Sequence, residues 1–202
     1  MVRDVRDSAA YSPQGALVLV VGPSGAGKDT LIAHARDRLV EDKRFVFVQR
    51  IITRPSEPLT SGGEVHEAMT EKQFLDARAR GELAFSWHSH GLHYGIQNTI
   101  VEYIADGRVV VANVSRTVIP AAGEIAARRL VVNVTARPEF LAARLEMRGR
   151  ETNEQIASRV TRSVDIELAG AAFAEIRNEG SVVAAGSMLL DLLLPLAHSR
   201  RH

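Results

Sequence analysis

Three apolar runs along the chain are continuous rather than alternating: 16-ALVLVV-21, 108-RVVVANV-114 and 130-LVVNVT-135. A strand with one wet face alternates apolar and polar residues, whereas a strand covered by helices on both faces is apolar throughout. These runs therefore predict buried strands of a parallel sheet, with 45-FVFVQ-49 as a fourth candidate. Between them the period becomes helical. In 29-DTLIAHARDRLV-40, Leu31, Ile32, Ala35 and Leu39 fall on one face. The segment 70-TEKQFLDARARG-81 opens with Thr70 and Gln73 at capping-box spacing and closes on Gly81. A second such box, Thr152 with Gln155, opens 152–163, and Pro138 takes the first-turn position of 138–148. Strands alternating with helices predict an α/β fold, a mostly parallel sheet flanked by helices. The stretch 53–68 has no apolar period, and its length predicts a segment that serves a site.

At 202 residues the chain is long enough for one domain with a sizeable core. The expected division is a leader over 1–15 and a single domain over 16–197. A formal net charge of +1 argues against a nucleic-acid partner, which calls for a strongly basic surface. Cysteine is absent, so disulfides and thiolate metal sites are excluded. No apolar run approaches the ~18 residues of a membrane span. The first fifteen residues mix both charges without an apolar centre, unlike a secretory signal. The expectation is a cytoplasmic protein with no membrane partner. Lysine occurs only at 28, 43 and 72, which makes Lys28 conspicuous.

Lys28 lies in 22-GPSGAGKDT-30, between the first predicted strand and the first predicted helix. Gly22, Gly25 and Gly27 let the backbone turn tightly and present N–H groups to phosphate oxygens. The helix N-terminus adds its positive end, and Lys28 reaches the outer phosphates. The candidate ATP site is Gly22, Pro23, Ser24, Gly25, Ala26, Gly27, Lys28, Asp29 and Thr30, with Mg²⁺ as the accompanying ion. The position after the lysine normally carries a hydroxyl for the metal; here it is Asp29, with Thr30 one place late. Asp29 has two readings: an acidic residue complementing a helix start, or a hard oxygen ligand for Mg²⁺, directly or through water. Thr30 is the rival hydroxyl ligand.

Other residues point to anionic groups. Arg50 and Arg54 flank the end of the second strand, and Arg148, Arg150 and Arg159 surround the glycine break at Gly149. Arginine matches phosphate with paired, charge-assisted hydrogen bonds. A hinge at Gly149 would swing Arg148 and Arg159 onto phosphates as a lid, over about 148–160. In 86-SWHSHGLHYGIQ-97, Trp87, His88, His90, His93 and Tyr94 are close together. The histidine spacings of two and three match no common helical zinc pattern, which favours hydrogen bonding to a sugar or phosphate. Asn113 closes the third strand, where an acidic metal ligand is expected in phosphate-loop proteins.

With these residues assembled, the chain resembles the guanylate kinase-like branch of the P-loop kinases. The shared pattern is GPSGxGK, T-R-P at 53–55, Y-G at 94–95 and R-L-x-x-R-G…R over 144–159. Within that branch it is most similar to the ribose 1,5-bisphosphate phosphokinases. The elements that carry the likeness are GPSGAGKD (22–29), IITRP (51–55), FSWHSHGLHYG (85–95), ANVSR (112–116) and RLEMRGRE (144–151). The likeness runs from about residue 16 to 195. Guanylate kinases read guanine with a carboxylate shortly before the Y-G and hold GMP with an upstream tyrosine. Those neighbourhoods here carry Phe85, Ser86 and His66. Two features depart from the phosphokinase pattern: His93 stands where tyrosine also occurs, and the 56–62 loop is longer.

The resemblance implies a P-loop kinase fold with an acceptor-binding segment over about 50–97 and the lid noted above. It implies ATP-dependent phosphorylation of ribose 1,5-bisphosphate to 5-phosphoribosyl 1-diphosphate (PRPP), as in phosphonate utilisation. The small-molecule partners are then ATP and a sugar bisphosphate. Lys28, Arg148 and Arg159 are the expected catalytic residues; Arg50, Arg54, His66, His88, Tyr94, Asn113 and Arg116 are the expected acceptor contacts. The alternatives are a nucleoside monophosphate kinase and a non-catalytic interaction module of the guanylate kinase-like type.

Overall fold

The computed structural model describes residues 15–54, 66–148 and 166–197. Its centre is β1 (Ala16–Val21), all six residues of which are buried. On one side β1 pairs with β7 (Val109–Asn113), and beyond that lies β2 (Phe45–Phe47). On the other side it pairs with β8 (Arg129–Thr135), and beyond that lies β9 (Ala172–Arg177). Every pairing is parallel. The three continuous apolar runs are thus the three inner strands, and 45–49 shortens to 45–47 at an outer position.

Alternate residues of β1 serve two cores, because successive side chains leave a strand on opposite faces. Ala16, Val18 and Val20 join a core with α1 (Lys28–Arg38), α4 (Pro138–Arg148) and α5 (Val182–Leu193), represented by Leu31, Leu141 and Leu189. Leu17, Leu19 and Val21 join a second core that includes Ile100 and Ile104 of α3 (Ile100–Ala105). On α1 the predicted face is the buried one: Leu31 and Ala35 are inaccessible, with Ile32 and Leu39 half-buried against the same core. Burying a leucine side chain this fully stabilises the fold by about 2–3 kcal/mol.

A smaller sheet packs on the second core, in the order β4 (Glu67–Ala68), β3 (Ile51–Ile52), β6 (Leu92–Gln97), β5 (Leu83–Ser89). Here β6 runs antiparallel to both β3 and β5. The β5–β6 hairpin turns through His90 and Gly91, both at positive φ (51° and 74°), as a two-residue hairpin turn demands. Phe85 and Ile96 reach into the second core, while α2 (Glu71–Ala79) covers the opposite face. The expected capping box starts α2: the Gln73 backbone N–H donates to Thr70 Oγ1 at 3.3 Å, and Gln73 Oε1 accepts from the Thr70 N–H at 2.9 Å.

The helix expected over 152–163 lies outside the described residues, as does most of the 53–68 stretch. Besides the short strands of the small sheet, three elements had no expectation from the sequence. The helix α3 is too short to show a period, β9 is an edge strand of mixed character, and α5 is apolar almost all round. Among the described residues no helix is long and apolar enough to cross a membrane.

Candidate active site

In an open α/β sheet the C-terminal ends of the parallel strands are where loops leave the core and ligands are met. The loop 22–27 leaves β1 at that edge. Gly22 has φ 141°, and a Cβ there would drive into the carbonyl oxygen of Val134 on β8. Gly27 caps α1 in the left-handed region (φ 89°), and a Cβ there would meet the side-chain amide of Asn178. Both positions therefore need glycine for conformation and for space. Lys28 folds back across the loop: its Nζ donates to the carbonyls of Gly22 at 2.8 Å and Pro23 at 2.9 Å. Ser24 is half-buried, and Thr30 in the first turn of α1 is exposed.

The loop is held from outside by residues the sequence reading did not single out. Asn178, directly after β9 and buried, donates from its side-chain amide to the Ala26 carbonyl at 2.8 Å. Arg144 of α4 donates to the Asn178 carbonyl at 2.8 Å and, at 3.4 Å, to the Gly25 carbonyl. Arg137 pairs with Glu179 (3.0 Å) and lies over the Phe140 ring, which Arg144 also approaches. The one available signal for Asn178 was positional: a polar residue at the end of a parallel strand. It went unseen because β9 itself was not recognised.

Asp29 lies where the phosphate-loop helix meets the acceptor segment. Its Oδ1 accepts from the Asn113 side-chain amide at 2.5 Å and stands 3.5 Å from the Arg50 guanidinium. Asn113 ends β7 on the face that α1 covers, and it is 5% exposed. Arg50 is itself largely buried, its side chain 14% exposed. The guanidinium carbon lies 5.6 Å from the centre of the Tyr94 ring, within cation–π range. Tyr94 on β6 stacks on its cross-strand partner Trp87 on β5, with ring centres 5.5 Å apart and planes 8° from parallel. Phosphate loop, β7 and the aromatic floor of the small sheet therefore converge on Asp29 and Arg50.

The other candidates spread over this surface and beyond it. His66 donates from Nε2 to the Arg54 carbonyl at 3.1 Å, bridging the two ends of the 55–65 stretch. The Nε of Arg54 is buried without a hydrogen-bond partner among the described residues. Arg116, in the short 3₁₀ turn after β7, donates to the buried Asn133 side chain at 3.2 Å, and burial lowers its pKa. His88 is exposed and sits next to Trp87 on β5, so it occupies the opposite face from Tyr94. There it meets His93 edge to face, and His93 stacks on Phe74 of α2. The structure thus gathers Lys28, Asp29, Asn113, Arg50 and Tyr94, and sets His88 apart. Phe85 is core and Ser86 is exposed, so neither stands in for a base-reading carboxylate. Arg148 is the last residue of α4, and Arg159 lies outside the described residues.

A magnesium ion accepts hard oxygen ligands. The Asp29 carboxylate supplies them in the first turn of α1, beside Lys28; its contacts with Asn113 and Arg50 run through Oδ1, and Oδ2 is the oxygen it can offer a cation. The donor set fits the ion.

No protein-family model matches the chain. Over 188 residues it is 44% identical to a ribose 1,5-bisphosphate phosphokinase of Brucella melitensis, covering 93% of this chain and 96% of that one. It is 39% identical over 183 residues to the enzyme of that name from Agrobacterium fabrum, covering 91% of this chain and 98% of that one. Among solved structures it superposes on a guanylate kinase from Anaplasma phagocytophilum with a TM-score of 0.61 at 14% identity, over 93% of this chain and 89% of that one. That likeness shows the fold alone: the P-loop kinase fold, with a mostly parallel central sheet.

Proposed function

Because the chain belongs to the ribose 1,5-bisphosphate phosphokinase family, we propose that it transfers the γ-phosphoryl group of ATP to the 1-phosphate of ribose 1,5-bisphosphate, forming PRPP. The observation that carries this reading is the 3.5 Å approach of Asp29 to Arg50, which brings the phosphate loop and an arginine-bearing acceptor surface together.

The acceptor oxygen is already anionic, so transfer needs no general base. A bond forms between a 1-phosphate oxygen and the γ-phosphorus, the bond from that phosphorus to the β,γ-bridging oxygen breaks, and ADP leaves. Catalysis is then positioning and charge stabilisation of an in-line displacement. The loop amides of 22–27 hold the nucleotide phosphates, and Lys28 turns from the Gly22 and Pro23 carbonyls to the outer ones. Asp29 would hold Mg²⁺ through its carboxylate, with Thr30 as the neighbouring hydroxyl, and the ion would supply charge neutralisation for the transferred phosphoryl group. On the acceptor side Arg50, Arg54 and Arg116 bind phosphate, with Tyr94, His66 and Asn113 completing the surface. Arg148 and Arg159 serve as lid cations. The surroundings of Tyr94 favour a base-less acceptor, since Phe85 is core rather than a carboxylate that could read a base.

The test is ATP turnover with ribose 1,5-bisphosphate or GMP as acceptor under matched conditions, with the product followed by phosphorus NMR. PRPP and ADP in equal amounts are expected. Comparable turnover of GMP would overturn the assignment in favour of a nucleoside monophosphate kinase.

A further inference from the structure

We propose that Asp29 is a positioning residue for acceptor recognition, and that Arg50, held by it, is the arginine that grips the phosphate being phosphorylated. This rests on the functional reading above. Arg50 is held by the Asp29 carboxylate at its edge and the Tyr94 ring beneath its face, and it is largely buried, with only 14% of the side chain exposed. A long, rotamer-rich side chain loses most of its freedom in such a setting, so little ordering remains to be done when an anion arrives. The carboxylate that holds it is itself fixed, because the buried Asn113 amide donates to the same Oδ1 at 2.5 Å.

The connectivity decides which phosphate Arg50 meets. Asp29 follows Lys28 directly, and both lie in the first turn of α1. An arginine tied to Asp29 is therefore the acceptor-side cation tied to the helix turn that carries the nucleotide lysine. The acceptor has two phosphates, and only the reacting one must approach that turn. A serine or threonine in place of Asp29 would have a hydroxyl too short and too weak to hold a guanidinium there. This gives the aspartate a purpose separate from metal binding: Oδ1 serves the acceptor arginine and Oδ2 remains for the ion.

The two roles separate kinetically. Asp29→Asn, Arg50→Lys and the double variant are compared with the wild-type enzyme, after thermal melts confirm that each is folded. Acceptor KM is measured at saturating MgATP, and the Mg²⁺ concentration giving half-maximal rate is measured at saturating acceptor. Asp29→Asn is expected to raise acceptor KM about tenfold, the scale of one charge-assisted contact, and to raise the Mg²⁺ requirement as well, because Oδ2 loses its charge with Oδ1. Arg50→Lys, which keeps the charge but not the fork, is expected to raise acceptor KM similarly and to leave the Mg²⁺ requirement unchanged. The double variant should be little worse than either single one, as for two residues acting as a unit. The inference is overturned if the two effects multiply, or if Asp29→Asn shifts the Mg²⁺ requirement and leaves acceptor KM unchanged. A wild-type enzyme that binds ATP but never uses ribose 1,5-bisphosphate would instead overturn the functional reading, and this inference with it.

Discussion

The side-chain amide of Asn178 donates to the backbone carbonyl of Ala26 at 2.8 Å, across 152 residues of chain. That bond pins the centre of the phosphate loop to the end of β9, and Arg144 secures the same corner by donating to the Asn178 carbonyl. The loop N–H groups face phosphate only while the carbonyls between them face the protein, so a donor behind Ala26 favours the binding conformation.

Asn178→Asp replaces that donor with a carboxylate facing a carbonyl. It is expected to raise KM for ATP at least tenfold and to destabilise the fold by about 1–3 kcal/mol, the cost of a buried polar group left unpaired. Steady-state kinetics and chemical denaturation read the two effects. Unchanged ATP affinity would show that the brace is irrelevant to nucleotide binding.

Lys28→Met removes the cation that now bridges the Gly22 and Pro23 carbonyls. Turnover should fall by roughly 10²–10³, the usual loss on removing one transition-state electrostatic contact, with a smaller change in acceptor KM. Retention of most activity would exclude Lys28 from phosphate handling.

Tyr94 offers a ring to both Trp87 and Arg50. Tyr94→Phe keeps the ring and should leave acceptor KM within about twofold, since the face, not the hydroxyl, carries the cation–π contact. Tyr94→Ala should raise acceptor KM and cost about 2 kcal/mol or more of stability. A large acceptor defect in the phenylalanine variant would transfer the role to the hydroxyl.

The turn between α1 and β2 is closed by Asp42 and Arg44, whose Nη2 stands 2.6 Å from Oδ2 and Nε 2.9 Å from Oδ1. The hydrogen bonds from Arg44 lower the Asp42 pKa below its ordinary value of 3.8. A carboxylate with a lowered folded pKa adds stability above the unfolded value and loses it as the pH falls through the folded one. Arg44→Ala is therefore expected to be slightly less stable than wild type at pH 7, the gap narrowing as the pH falls below about 3.8. Urea denaturation at pH 7 and pH 3 checks this; a gap no smaller at pH 3 than at pH 7 means the arginine acts through packing.

How much was legible in the sequence follows the range of the interactions. The inner strands were visible because burial on both faces forces an unbroken apolar run, as in β1. The α2 start was visible because its capping box spans only Thr70 to Gln73. The phosphate loop was visible because its glycines and lysine act through local backbone geometry. Edge strand β9 and the small mixed sheet lacked such patterns, since their short strands mix exposed and buried positions.

The sequence by itself determined a parallel α/β core, a nucleotide loop after its first strand, and a kinship whose motifs extend over nearly the whole chain. Tertiary structure alone decided what those motifs do to one another. It set Asp29 between Asn113 and Arg50, placed His88 and Tyr94 on opposite faces of one hairpin, and brought Asn178 behind Ala26. The physical reason is separation along the chain. Local spacing fixes a turn or a helix start, but a contact across 84 or 152 residues exists only once the sheet order and register have brought its partners together.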